Sequence, residues 1–333
     1  MRAWVVERPG PAHGGPLVWQ DRDDPRPGPG EVVVRVRACG VCRTDLHLAE
    51  GDLPPRRPGV VPGHEVVGEV VELGPGAGRF ASGDRVGIAW LRRTCGACRF
   101  CRSGRENLCR TASFTGWDAD GGYAEACAIG EDFAYALPDG LSDVDAAPLL
   151  CAGIVGYRAL KRAALPPGGR LGIYGFGASA HLVAQVAIAQ GARVHVVTRS
   201  PAAQELARAL GAASAGPAGQ PPPEPLDSVI TFAPAGELVP IGLRALDAGG
   251  TLAVAGIHLS AIPSLDYSTD LFEEKRLVSV TANTRADGEE FLRLAEALRI
   301  SPTVDERPLR DAGQVLADLA DDRINGAAVL IPE

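Results

Sequence analysis

The hydrophobic rhythm of the chain changes near its midpoint. In the first third, apolar and polar positions alternate in short runs: Glu31-Val-Val-Val-Arg-Val-Arg-Ala38, Val66-Val-Gly-Glu-Val-Val-Glu-Leu73 and Asp84-Arg-Val-Gly-Ile88. A period of two in β-branched residues marks half-buried strands, and Gly74-Pro75-Gly76 and Ser82-Gly83-Asp84 separate them as turns. From about Ala152 short apolar runs alternate with helical stretches. The pattern predicts a strand at Arg170–Tyr174, a glycine turn at Gly175–Ala180 and a helix from Ala180 to Gln190. A strand at Arg193–Val197 follows, then a helix from Pro201 to Leu210 with Ser200 as its N-cap and Gly211 as its stop. Further strands are expected at Ser228–Phe232, Thr251–Ala255 and Val278–Val280, and a helix at Glu289–Leu298. The Pro/Gly-rich stretch 216–225 reads as a surface loop. The tail Ala327–Ile331 has left the β/α alternation and is expected to return as a strand of the first domain. The reading is an α/β chain: an irregular β domain over 1–151 with a C-terminal return at 286–333, and a β/α domain over 152–285.

Composition narrows what such a chain can do. At 333 residues it exceeds a typical single core, and 46% hydrophobic residues suffice for two. The formal net charge of -8, with no basic run, argues against nucleic acid as a partner and favours solubility. The most apolar stretch, Leu182–Val197, is interrupted by Gln185, Gln190, Gly191, Arg193 and His195, so no membrane partner is expected. Met1-Arg2-Ala3-Trp4 runs directly into a strand-like segment rather than a secretory signal, and a cytoplasmic chain is expected.

Of the eight cysteines, Cys95, Cys98, Cys101 and Cys109 fall within fifteen residues. In a reducing compartment such a cluster indicates metal rather than disulfides. Cys-x2-Cys loops place thiolates at the corners of a tetrahedron, with Zn–S near ~2.3 Å. An iron–sulfur cluster also takes four thiolates and stays open as an alternative. Four protein ligands close the shell, so this site is structural. Arg92, Arg93, Arg99, Arg102, Arg105 and Arg110 surround it and are expected to favour thiolate over thiol.

A second constellation is spread over three segments: Cys42-Arg-Thr-Asp45, Gly63-His64-Glu65 and Cys151. Cys42, His64 and Cys151 form a Cys2His set, which leaves one zinc position open for chemistry. Asp45 is a candidate to hold the second nitrogen of His64, and Thr44 offers a hydroxyl two residues from a ligand. Taken singly, Cys151 reads as a core thiol and His64 as a loop histidine. Cys39 and Cys127 are spare, and His13, His181, His195 and His258 join no constellation.

Taken in order along the chain, these motifs resemble the zinc-containing alcohol dehydrogenases of the medium-chain dehydrogenase/reductase superfamily, over essentially the whole length from Trp4 to Ile331. The resemblance implies a GroES-like domain followed by a doubly wound Rossmann domain, with the cleft between them holding the catalytic zinc. It implies two zincs per chain, with Cys42, His64 and Cys151 on the catalytic one and Glu65 beside it. Thr44 and His47 would pass the alcohol proton outward, and Arg43 would help hold the cofactor pyrophosphate. Trp90 and Trp117 would line the substrate channel. Ile257, after a strand end, is a candidate to meet the nicotinamide. The substrate class is a small alcohol, aldehyde or ketone, and a homo-oligomer (dimer or tetramer) is expected. Val155 and Gly326-Ala327 depart from the usual threonine and arginine of that family.

Gly175-x-Gly177-x-x-Ala180 is the dinucleotide turn: a tight first glycine, a second that admits the pyrophosphate, and a small residue where helix meets strand. The acidic residue that selects NAD is replaced by Thr198-Arg199-Ser200, a set suited to a 2′-phosphate, so NADP is favoured with NAD as the alternative. Two rival readings stay open: a zinc-independent quinone or enone reductase of the same fold, and a non-catalytic redox or cofactor sensor.

Overall fold

The computed structural model describes residues 1–333. The chain forms two compact units. The first comprises Met1–Cys151, Ala282–Glu296 and Pro302–Glu333; the second comprises Ala152–Thr281 and Ala297–Ser301. No helix is long and apolar enough to cross a membrane.

The first unit is built on a seven-stranded sheet. Its order is Val304–Pro308, Ala327–Ile331, Glu31–Val41, Glu65–Leu73, Arg85–Ile88 and Ala134–Ala136, with Ala126–Gly130 also on Glu31–Val41. The tail strand Ala327–Ile331 lies antiparallel to Glu31–Val41, with Val329 opposite Gly40. Its neighbourhood is tied back to the N-terminal strand by the Trp4 indole, which donates to Leu309 O at 2.8 Å. Val32, Val34 and Val36 from Glu31–Val41, together with Val66 and Val70 from its partner, are buried. Each buried valine contributes roughly 1.5–3 kcal/mol by removal from water.

The pairing of Glu31–Val41 with Glu65–Leu73 brings the buried cysteine–histidine site together. Gly40 stands opposite Glu65, so continuing the antiparallel register sets residues 41–42 against 63–64 at one end of the ladder. The two segments share one end because the strands that lead to them share a register.

The second unit is a six-stranded parallel sheet, ordered Ser214–Gly216, Arg193–Val197, Arg170–Tyr174, Leu226–Thr231, Leu246–Val254 and Arg276–Ser279. In chain order this is 3-2-1-4-5-6, the doubly wound dinucleotide-binding arrangement. Strands Arg170–Tyr174 and Arg193–Val197 have the bounds the apolar runs predict. The helix Pro201–Ala209 begins at Ser200, whose hydroxyl accepts from the Ala203 amide at 3.3 Å. The stretch read as a loop from Gly216 differs at its start. Gly216 closes the short edge strand Ser214–Gly216, and its carbonyl accepts from the Thr198 amide. Three residues are too few for a periodic signal.

Candidate active site and metal clusters

Cys42 follows the strand Glu31–Val41 and caps the helix Arg43–Glu50. Serine, threonine, asparagine or aspartate usually fills that position. Here the thiol accepts from the Thr44 amide at 3.5 Å, and the Asp45 carboxylate accepts from the Cys42 amide at 2.9 Å. The sulfur is thus oriented by a capping box. His64 precedes the strand Glu65–Leu73. Cys151 sits in a π-helical turn, Leu149–Gly153, that follows the helix Asp143–Pro148. Such turns are rare and recur at functional sites.

These segments converge. Ligand atoms of Cys42, His64, Glu65 and Cys151 all lie within 4.8 Å of one another. His64 is fully buried; its Nδ1 is 3.2 Å from Asp45 Oδ1. A carboxylate only accepts, so Nδ1 carries the proton and the lone pair sits on Nε2. That Nε2 is buried with no hydrogen-bond partner. Leaving a buried polar atom unpaired costs about 1–3 kcal/mol, a cost that a metal ion at the same place removes. The Cys42 thiol is held well below its ordinary pKa, first by hydrogen bonding from Cys151 and then by His64 against the effect of burial. Glu65 is pushed well above the usual carboxylate range, mainly by burial and then by the charge of Cys42. Two thiols, one imidazole lone pair and an adjacent carboxylate make a donor set that fits zinc.

The other predicted residues stand nearby in the same unit. Thr44 Oγ1 is 3.6 Å from Cys42 Sγ, and the residue is buried. His47 lies three residues further along the helix, on the same face, with Nδ1 3.1 Å from Asp52 Oδ2. Arg43, exposed at the start of that helix, pairs with Asp322. The Trp90 ring meets His64 edge-on at 4.8 Å between centroids, and Trp117 stacks on Trp90 at 5.9 Å. The Trp117 indole donates to Pro54 O at 2.9 Å, and the Arg56 guanidinium lies 3.7 Å over its ring.

The four-cysteine cluster is local and close to the surface. Sulfur–sulfur distances are 3.9 Å for Cys95–Cys101, 3.5 Å for Cys98–Cys101 and 3.6 Å for Cys109–Cys95. A tetrahedron with Zn–S near ~2.3 Å has edges of about 3.8 Å, so these three separations match it, and all four sulfurs lie within 4.8 Å of one another. The source of thiolate stabilisation corrects the expectation drawn from the arginine run. Cys109 is pulled down to about 6 by the Cys95 amide first and the Thr111 hydroxyl second. Cys95 is lowered by the amides of Ala97 and Cys98. Cys101 is raised to about 11, chiefly by burial. Three of the six arginines are engaged elsewhere: Arg92 donates to Ala128 O and pairs with Glu31, while Arg99 and Arg105 flank the Phe100 ring. Backbone amides at fixed short range outweigh guanidinium charges screened by solvent.

In the second unit, Gly175 has φ +85, and a Cβ there would lie 2.7 Å from the Ala233 amide nitrogen, so the tight turn admits only glycine. Gly177 precedes the helix Ala178–Ala189 and has open space where its Cβ would be. Ala180 is buried. Thr198 follows the end of Arg193–Val197 and Ser200 caps the next helix; Arg199 between them is exposed and has no ion pair. Ile257 is 56% exposed. Three of the four histidines outside the site have structural places: His195 is buried between Ser214 and Glu224, His13 pairs with Asp321 at the surface, and His181 is buried in its helix.

Two contributors escape a reading by motif. Asp52 partners His47 just past the Gly51 turn that ends the helix. Tyr123 is fully buried, with its hydroxyl 3.4 Å from Asp45 Oδ2. The pair Gly121-Gly122 before it was the available signal, since adjacent glycines mark a close backbone approach.

Comparison with known proteins agrees with this geometry. The family model described as "Alcohol dehydrogenase GroES-like domain" matches residues 28–139, and the one described as "Zinc-binding dehydrogenase" matches residues 178–297. The chain is 58% identical over 336 residues to the "Probable alcohol dehydrogenase AdhA" of Mycobacterium tuberculosis, covering 99% of this chain and 97% of the relative. Among solved structures it is similar to a cobalt and zinc bound thermostable alcohol dehydrogenase from Pyrobaculum aerophilum. The TM-score is 0.91 and the identity 28%, over 100% of this chain and 99% of that one. It is also similar to acetophenone reductase from Geotrichum candidum in complex with NAD. Here the TM-score is 0.88 and the identity 26%, over 99% and 96% of the two chains. With relatives matched end to end and the two domain families in this order, the chain belongs to the zinc-containing alcohol dehydrogenases of the medium-chain dehydrogenase/reductase superfamily.

Proposed function

We propose that this enzyme is a zinc-dependent alcohol dehydrogenase that interconverts small primary or secondary alcohols with aldehydes or ketones, using NADP in preference to NAD. The observation that carries the proposal is the buried, unpartnered Nε2 of His64, set among the Cys42 and Cys151 thiols and the Glu65 carboxylate. Cys42, His64 and Cys151 would hold the ion, with Glu65 beside it and the fourth position left for the alcohol oxygen. Bound zinc supplies a Lewis acid for the alcohol oxygen, and the nicotinamide supplies the hydride acceptor.

The remaining residues bind, orient and move a proton. Asp45 fixes the His64 ring so that Nε2 faces the thiols. The Thr44 hydroxyl accepts the alcohol proton as it gives up its own, and the His47 ring, anchored at Nδ1 by Asp52, is the outer proton acceptor. Trp90, edge-on to His64, and Trp117 stacked behind it form an apolar wall suited to a small organic alcohol. Arg43 and the turn Gly175, Gly177 and Ala180 serve the pyrophosphate. The exposed, unpaired Arg199 with Thr198 and Ser200 serves a 2′-phosphate. Cys95, Cys98, Cys101 and Cys109 hold a second, structural zinc. A homo-oligomer is supported by the uncovered edge strand Arg276–Ser279 and by Tyr267 and Phe272, which are 67% and 66% exposed. A zinc-independent reductase would have no use for the Cys2His donor set.

Steady-state turnover of an alcohol panel with each cofactor, before and after metal depletion, tests the proposal. Activity should disappear on depletion, return with zinc and be higher with NADP. Full turnover by metal-free protein would contradict it.

A further inference from the structure

We propose that Tyr123 is a positioning residue for the buried metal cluster, acting through its hydroxyl on Asp45 and thereby on His64; this rests on the zinc reading above. Asp45 is 1% exposed, and each carboxylate oxygen has two donors. Oδ1 accepts from the Gly63 amide at 3.0 Å and from His64 Nδ1 at 3.2 Å. Oδ2 accepts from the Cys42 amide at 2.9 Å and from the Tyr123 hydroxyl at 3.4 Å. Three of these donors belong to the ligand segments themselves. Tyr123 comes from a separate segment, so it is the contact that references the carboxylate to the rest of the unit.

The surrounding backbone is arranged to seat this side chain. The Tyr123 amide donates to Pro62 O at 3.0 Å, and its carbonyl accepts from the Trp4 amide at 2.8 Å. Gly121 and Gly122 donate to Val61 O and Gly63 O, so the segment runs as a strap along the approach to His64. A Cβ on Gly121 would lie 1.9 Å from Gly63 O, and one on Gly63 would lie 2.4 Å from Tyr123 Cδ1. Glycine at both positions leaves room for the ring and its segment against the ligand loop. The ring fills the space, and the hydroxyl completes the carboxylate's coordination by donors. A phenylalanine would keep the first role and lose the second.

Losing an outer partner of a metal ligand typically weakens metal binding by about 10–100-fold. Tyr123 is one contact further out and its hydrogen bond is long, so the lower end, about tenfold, is expected. The test is zinc competition with EDTA on the holoenzyme for the parent, Tyr123→Phe, Asp45→Asn and the double variant, with Cys42→Ala marking which zinc belongs to the buried cluster. Tyr123→Phe should bind that zinc about ten times more weakly, retain the other zinc and melt with the parent. In the Asp45→Asn background Tyr123→Phe should add little, because its route runs through Asp45. Parent-like zinc affinity in Tyr123→Phe, or a full tenfold loss persisting in the Asp45→Asn background, would overturn the proposal. If the parent holds no zinc that depends on Cys42, the catalytic-zinc reading falls, and this proposal with it. An unchanged Tyr123→Phe beside a normal parent removes this proposal alone.

Discussion

The two donor clusters of the first unit are built on opposite plans. Cys95, Cys98, Cys101 and Cys109 come from one short lobe, with sulfurs spaced by the chain's own turns and oriented by neighbouring amides. Cys42, His64 and Cys151 come from segments more than a hundred residues apart in total span, brought together by strand register and a π-helical turn. The local cluster has four thiols and no remaining position. The distributed one has two thiols, an imidazole, an adjacent carboxylate, a neighbouring hydroxyl and the Trp90 ring against the imidazole. A metal that only ties a loop can be held by that loop. A metal that meets a substrate keeps one coordination position open, and ligands on rigid elements hold that geometry.

The contrast is broken most forcefully at the lobe. Cys98→Ala should remove one zinc and cost several kcal/mol of stability, since metal binding there contributes directly to folding. A thermal melt with metal analysis checks it, and an unchanged melting temperature with all zinc retained would show that the lobe is no zinc site. Residual activity per folded molecule should fall less than stability does.

A change outside both clusters provides a control of the division. Arg199→Ala should raise the Michaelis constant for NADP by about one to two orders of magnitude, the value of a charge-assisted hydrogen bond of roughly 1.5–3 kcal/mol. NAD kinetics and zinc content should not move. A parent enzyme that prefers NAD, or a variant that affects both cofactors alike, would remove the phosphate-clamp reading.

His47→Gln separates proton movement from metal holding at the distributed site. Turnover should fall by about tenfold, less than the ~100-fold lower end for a direct general base, with zinc retained. Stopped-flow or steady-state rates together with metal analysis test this. Unchanged turnover would exclude the relay role.

The smallest effect concerns how the lobe is attached. Glu106, between Cys101 and Cys109, accepts two-pronged bonds from Arg285, at 2.7 Å from Nη2, and is buried. Burial alone would raise its pKa; the hydrogen bonds and charge of Arg285 outweigh this and leave it below the usual carboxylate value. A folded-state pKa below the unfolded one stabilises above the unfolded value of ~4.3 and is lost as pH falls through the folded one. Glu106→Gln should therefore cost about 1–2 kcal/mol at neutral pH. The gap in melting temperature from the parent should close as the solution is acidified from about pH 5 towards pH 3. A gap independent of pH would show that the charge is not what holds the lobe.

The two plans also differ in how far the sequence discloses them. Cys-x2-Cys-x2-Cys is legible because spacing over six residues fixes geometry by itself. Nothing in the spacing of residues 42, 64 and 151 fixes theirs; order along the chain and resemblance to a family supplied it. The β/α alternation placed Arg170–Tyr174 and Arg193–Val197 at their observed bounds, because parallel buried strands are sharply apolar. The π-turn at Leu149–Gly153 was not legible, since it depends on packing rather than on periodicity. The arginines of the lobe misled because net charge nearby says little about which groups face a sulfur. Tyr123 was hidden for a related reason: its role depends on a hydroxyl reaching across the fold to Asp45.

On the proposed reading, Cys42, His64 and Cys151 hold the zinc that turns over the alcohol. Metal content by mass spectrometry, measured with alcohol oxidation on the parent and on Cys42→Ala, tests it most directly. The parent should hold about two zincs per chain, one for each cluster. Cys42→Ala should fold with one zinc fewer and nearly no activity. A folded Cys42→Ala protein that keeps its zinc content and its full turnover would contradict it.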